Sequence, residues 1–292
     1  MQPPRSWAQW RSAMELVRTS AGQGTSRYGV FLPVDEWQTP VILALEQQAS
    51  LLAAGDTRGN FRSAEVRKAV EFYTGLFRDD LAPRRSEAQL ANLYREFAAG
   101  YFAFFVTGPW NLVELERRMP ADLADAWATA PMPAADASKG AAPGVSVAGG
   151  ASLAVSATST RKEHAFRLVE YLCSAPVQRQ FRDLSGDLPS RRSAWDSAEV
   201  ADAARASGTA GAGTAVAKGT AHHERSRAFR AQLDHLVATP KVPEWERIAA
   251  KITLHLELIV RDEVGIDEGL AELDADVDAI LAKRRALLAE RP

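Results

Sequence analysis

Tyr101-Phe-Ala-Phe-Phe-Val-Thr-Gly-Pro-Trp-Asn111 is the stretch on which the fold turns. Tyr101–Val106 is an unbroken apolar, aromatic and β-branched run. It is far shorter than the roughly 20 apolar residues of a membrane span, and it predicts a fully buried strand. Gly108-Pro109 stops the run, because proline donates no ladder hydrogen bond and glycine permits a sharp turn. Trp110 follows at once, and Leu112–Arg118 has the pattern of the first turns of a helix. A large aromatic is thus carried to the C-terminal end of a strand, which is where open α/β sheets bind ligands. Trp110 is either core or a presented binding surface, and the stretch alone leaves both open.

Composition frames this reading. The chain has 292 residues, 46% hydrophobic and 25% charged, which suits a soluble globular protein of about two domains. A formal charge of −2 gives no steering toward nucleic acid or anionic lipid. Cys173 is the single cysteine, so neither an intrachain disulfide nor a cysteine-rich metal site is expected. Met-Gln-Pro-Pro-Arg-Ser-Trp7 has no apolar h-region, so no signal peptide is expected in this sequence.

Outward from the central run, the remaining elements alternate. Ser6 is placed to cap a helix with Trp10, Ala13, Met14 and Val17 on its apolar side. Tyr28–Leu32 predicts a short strand ended by Pro33, and Asp35-Glu36-Trp37 sets another aromatic just past a strand end. Pro40–Leu52 predicts a buried helix and Gly55–Asn60 a loop. Ser63 caps a helix facing inward through Val66, Val70, Tyr73 and Phe77, and a further helix spans about Ala88–Ala99. Pro131 and Pro133 make Ala128–Ala135 extended.

Gly149-Gly150 precedes an alternating strand, Ser152–Ser156. Adjacent glycines admit close backbone approach, by a ligand or by a packed helix. Thr160 with Glu163 has the form of a capping box, and Ala165, Leu168, Val169 and Leu172 form the inner side of the helix it opens. Cys173 is expected in the core. Ser185–Trp195 is a loop carrying Arg191-Arg192; such a guanidinium can fork onto hydroxyl or carboxylate oxygens, or simply be solvated. Ala203–Ala221 has no apolar period and is expected to be a flexible insertion. Trp245, Ile248, Ile252 and Leu256 mark another helix. The last helix is expected from Asp267 to about Ala289, with Leu270, Leu273, Val277 and Leu281 inward.

Familiar catalytic patterns are missing. The glycines do not follow strands as a dinucleotide loop requires, and Gly144–Ala148 lacks the final glycine of a nucleophile elbow. His222-His223-Glu224 is the nearest approach to a metal-ligand cluster. No cofactor and no metal are expected.

Taken together, several stretches resemble one family. Phe97–Asn111 resembles the "Phe…Gly…Ala-Met…Gly-Pro-Trp" segment of sugar-binding proteins of ABC importers, the extracellular solute-binding family that includes maltodextrin-binding protein. Ala130–Pro133 followed by Ala148–Val155 is similar to its "Ala-Pro-Leu-Pro…Gly-Gly-x-Ser-Leu" return strand. Lys162–Phe181 resembles its following helix pair, and Gly186–Trp195 its "Gly…Leu-Pro-x-Arg" loop. The resemblance covers nearly the whole chain except Ala203–Ala221.

That resemblance implies an α/β, periplasmic-binding-protein-like fold of two lobes, maltodextrin-binding type, with lobe one incomplete at its N-terminal part. It implies that residues 1–148 and 196–292 form lobe two and that 149–195 is an excursion to lobe one. By the same resemblance Trp37 and Trp110 are stacking platforms, Gly149 and Gly150 offer backbone donors, and Arg191 and Glu36 hold hydroxyls. Ala151 stands where many relatives have a tryptophan. The implied role is the carbohydrate-binding component of an ABC importer, not an enzyme. The implied protein is monomeric, binds a mono- or oligosaccharide, meets permease subunits and no nucleic acid, and works in the periplasm or at the cell exterior. Two rivals remain at this stage: a carbohydrate-active enzyme using Glu36 and Asp187, and a non-binding remnant.

Overall fold

The structure is a computed structural model that describes residues 2–20, 27–136, 143–150, 152–185, 187–194 and 224–290. The expected insertion Ala203–Ala221, the His222-His223 pair and Ala151 lie outside the described residues.

Ser6 opens the first helix, Trp7–Ser20 (α1), and its Oγ accepts the Gln9 N–H at 3.2 Å. Trp7, Trp10 and Met14 recur at helical spacing and are buried, so one face of α1 is given to the core. Tyr28–Phe31 (β1) runs beneath it. Gln38–Glu46 (α2) is apolar almost all round and correspondingly buried. It stops earlier than its hydrophobicity suggests: Gln48 takes φ 63°, and Leu52–Ala53 (β2) already pairs antiparallel with Arg58–Gly59 (β3). The loop expected over 55–60 is the hairpin these strands make.

Ser63 caps Ala64–Arg78 (α3) by accepting the Val66 N–H at 3.4 Å, and Val66, Val70, Tyr73 and Phe77 are all buried, as their spacing required. The helix expected over 88–99 is a 3₁₀ turn at Glu87–Gln89 followed by Leu93–Ala98 (α4).

The central run is Phe102–Phe105 (β4), parallel to β1 with Val30 opposite Phe104. It is less buried than expected. Phe102 is enclosed, Ala103 is exposed, and Phe104 and Phe105 are half-buried. The cause is the size of the sheet: among the described residues β4 has one partner strand, and no ladder covers its other edge. Trp110–Arg118 (α5) follows the Gly108-Pro109 corner.

The chain divides into two compact units. The first comprises Met1–Val106, Pro131–Ala148 and Gln232–Pro292; the second comprises Thr107–Ala130 and Gly149–Ala231. The first holds the main core, where α1, α2 and α3 close with the helices Trp245–Val260 and Ile266–Ile280 over side chains such as Met14, Leu43, Tyr73, Ile252 and Leu273. The expected final helix is broken after Ile280, and Ala282–Ala289 follows as a separate helix.

The second unit departs most from the sequence-based expectations. Ser152–Ser156 is extended but pairs with no strand among the described residues and is mostly exposed. Lys162–Leu172 (α6) has no side-chain cap from its N-cap residue Arg161, so the expected capping box does not form, and it buries no residue. Leu168 is 56% exposed, Leu172 37%. Ala175–Ser185 (α7) packs on it but leaves Phe181 and Leu184 exposed. Cys173 is half-buried rather than core. The reason is common to all: among the described residues of the unit, nothing covers both sides of this helix pair.

Candidate functional site

Trp110 is 52% exposed, which excludes the core reading. It is the first residue of α5, with Pro109 as N-cap at φ −62°, the value at which the proline ring is preorganised for a helix start. Its indole lies folded over Gly108, and any methyl at that position would collide with the ring carbons. The glycine is therefore what lets the ring lie flat against the turn. One residue on, Asn111 Nδ2 donates to Thr107 Oγ1 at 2.5 Å, tying the first turn of α5 back to the strand exit. A large apolar ring is held rigidly and left open to solvent.

Gly149 and Gly150 lie in the same unit. Both are exposed, and a side chain at either would meet open space. Among the described residues no helix packs against the pair. Gly150 has φ +144°, a conformation side chains rarely adopt. Arg191 is also in this unit. Its Nε donates to the carbonyl of Cys173, the C-cap of α6, at 3.0 Å, which satisfies a helix-end acceptor and fixes the plane of the guanidinium. Asp187 is half-buried, its backbone N–H donating to Ser185 Oγ at 3.2 Å.

Glu36 and Trp37 belong to the first unit, just before α2. Trp37 is half-buried and meets Trp245 edge to face, with centroids 5.4 Å apart and planes at 86°. Burial pushes the Glu36 carboxyl up, and the neighbouring carboxylates of Glu87 and Asp35 push it further. Glu87, on the 3₁₀ turn, went unnoticed in the sequence, because only folding brings it near Glu36. Neither unit contains both Glu36 and Asp187, so neither brings that catalytic pair together. Among the described residues no group of His, Cys, Asp or Glu is arranged to hold a metal ion, and no helix is long and apolar enough to cross a membrane.

The profile of the bacterial extracellular solute-binding protein family matches residues 4–207. Among solved structures the chain is similar to the sugar-binding protein MalE from the phytopathogen Xanthomonas citri, with 36% identity and a TM-score of 0.83. That likeness covers 100% of this chain and 67% of the other. An ABC transporter solute-binding protein from Thermotoga lettingae, bound with alpha-D-tagatose, is 22% identical with a TM-score of 0.72; 96% of this chain and 65% of that one are covered. The GacH receptor of Streptomyces glaucescens, solved unliganded and with acarbose, is likewise 22% identical at a TM-score of 0.72, over 97% of this chain and 65% of that one. A comparison with curated protein sequences finds no match.

The chain belongs to the bacterial extracellular solute-binding family, and its fold is that of the two-lobe, MalE-type binding proteins. It spans about two thirds of the length of these relatives. The family binds solutes, and its extracellular character implies a periplasmic or extracellular setting.

Proposed function

We propose that the protein is the carbohydrate-binding component of an ABC importer, and that Trp110 is a stacking platform for a sugar ring. The observation that carries this is the indole itself, half-exposed, rigidly seated over Gly108 and free of any core role. A pyranose face is apolar and flat, and an aromatic ring excludes water from it without needing a directional bond. Gly149 and Gly150, open on their outer side, are suited to present backbone groups to hydroxyls. Arg191 offers planar, fork-shaped donors. Glu36 would accept from hydroxyls, and Trp37 is the second platform.

The likenesses to proteins described as sugar-binding, tagatose-bound and acarbose-bound support this ligand class. The lobe assignment, with 1–148 and 196–292 in lobe two and 149–195 in lobe one, belongs to the same proposal. So do the monomeric state and the docking to permease subunits. Apolar side chains left open on α6 and α7 support the excursion, since a lobe core would cover them.

Calorimetric titration of the complete protein with gluco-oligosaccharides from maltose upward tests the reading. Trp110→Ala and Trp37→Ala are each expected to weaken binding by about 1–3 kcal/mol, taking base–aromatic stacking as the analogue. Unchanged affinity in both variants would overturn the site.

A further inference from the structure

Trp110 stands at one end of a short helix, and where it is presented depends on how that helix is held. α5 has nine residues, about 14 Å of helix. Its N-terminal end is tied at the Gly108-Pro109 corner and by Asn111 to Thr107. Leu112 and Leu115 are buried, but apolar packing is non-directional and does not by itself set a tilt.

A second directional tie comes from Arg225, 109 residues beyond its partner on α5. Arg225 Nη1 pairs with Glu116 Oε1 at 3.4 Å, and Glu116 lies one turn past Leu112 on the same helix face. Arg225 Nη2 donates to the Ala124 carbonyl and stands 4.0 Å from Asp125, in the turn that follows α5. Cζ of the same guanidinium is 3.9 Å from the centre of the Trp127 ring. Thr129 Oγ1 donates to the Arg225 backbone carbonyl at 2.5 Å. All of these residues belong to the second unit. The Arg225 side chain is 11% exposed, so its charge is largely out of water and is held where partners meet it. Glu114, by contrast, pairs within α5, with Arg118 at 2.6 Å.

We propose that Arg225 is a positioning residue for Trp110, fixing the tilt of α5 through Glu116 and thereby the place at which the indole is presented. The proposal rests on the reading of Trp110 as a sugar platform. A rod is oriented by two points. The Gly108-Pro109 corner supplies one, and the Glu116–Arg225 pair supplies the other. Arginine suits the task because its planar fork engages a carboxylate and a carbonyl at once while its face lies on a ring; a lysine ammonium has no such fork.

Fluorine NMR of the full chain labelled with 5-fluorotryptophan reads the ring without any ligand, and Trp110→Phe assigns its signal. Glu116→Ala cuts the tie to α5 and leaves the Ala124 and Trp127 contacts of Arg225 in place. It is expected to shift and broaden the Trp110 signal and to leave that of Trp10, enclosed in the first unit, where it was. Arg225→Gln is expected to do the same, and Glu116→Ala added to it should move Trp110 no further. A Trp110 signal unmoved in Glu116→Ala, or moved further in the double variant, overturns the proposal. Movement of the Trp10 signal as well marks a global change and also overturns it. Should Arg225→Gln fail to fold, Glu116→Ala alone decides.

Calorimetric titration with maltotriose is the second arm. Arg225→Gln is expected to weaken binding on the order of fivefold in the native background and not at all in Trp110→Ala. An equal loss in both backgrounds overturns the positioning role. Trp110→Ala that binds as tightly as the native protein removes the platform reading instead, and the fluorine signals still decide whether Arg225 places the ring.

Discussion

At Trp110 the ring and the glycine beneath it are one device. The indole is presented because Gly108 gives it a flat seat, so the two positions should fail together. Gly108→Ala is expected to swing the ring off the turn and to reproduce most of the sugar-affinity loss of Trp110→Ala, while leaving the far-UV spectrum unchanged. Titration of the two single variants and the double variant checks this; fully additive losses would mean that the seat does not matter. Glu36 makes a second residue-scale prediction. Its carboxyl is raised by burial and by Glu87 and Asp35, so the folded state holds its proton longer than the unfolded chain does. The stability it lends is present below its ordinary value and is lost as pH rises through the raised one. Glu36→Gln should therefore flatten the fall in melting temperature across the mildly acid range. An unchanged slope would show that the carboxyl is solvated after all.

The informative elements are α6 and α7. On α6 the apolar residues occupy a very wide arc: Ala165, Val169 and Cys173 are half-buried, while Phe166, Leu168, Tyr171 and Leu172 are exposed. On α7, Phe181 and Leu184 share a face and are 59% and 75% exposed. A surface helix ordinarily turns such residues inward. Among the described residues one neighbouring helix does not cover them, and they add up to an exposed apolar surface of the sort that promotes association. Leu168→Lys combined with Phe181→Lys is expected to lower binding of a hydrophobic dye and raise solubility, with the melting temperature nearly unchanged. A drop of many degrees would show that both side chains are packed in solution.

Over the whole molecule, stability should be unevenly distributed. The main core of the first unit is built from side chains that are almost fully enclosed, among them Met14, Val30, Leu43, Tyr73, Ile252 and Val277. Segment 152–172 offers an extended run with no ladder partner among the described residues and a helix that buries nothing. Local opening is easiest where buried apolar contacts are few. Amides of α3 and of the helix Trp245–Val260 are expected to exchange close to the global rate, and those of 152–172 orders of magnitude faster. Equal protection in both would mean that 152–172 is covered in solution.

What the sequence determined by itself was everything written in a local code. Ser6 and Ser63 cap because a side-chain oxygen two or three residues ahead of a free N–H is a local geometry. Val66, Val70, Tyr73 and Phe77 are buried because their spacing makes one stripe. Trp245, Ile248, Ile252 and Leu256 follow the same rule. The order of the Gly-Pro-Trp corner, the glycine pair and the arginine loop pointed to the family that the profile match shows. Tertiary structure alone decided what depends on partners distant in the chain. Ser152–Ser156 alternates like a strand, but a strand is made by a neighbour, and none of the described residues supplies one. Leu168 and Leu172 have the right period for a core, yet burial needs a second surface. Glu46 reads as an ordinary surface acid, and only the meeting of α1, α2 and the backbone near Pro133 and Gly144 takes it out of water. Periodicity states which side chains could be inside; which of them are is settled by what folds over them.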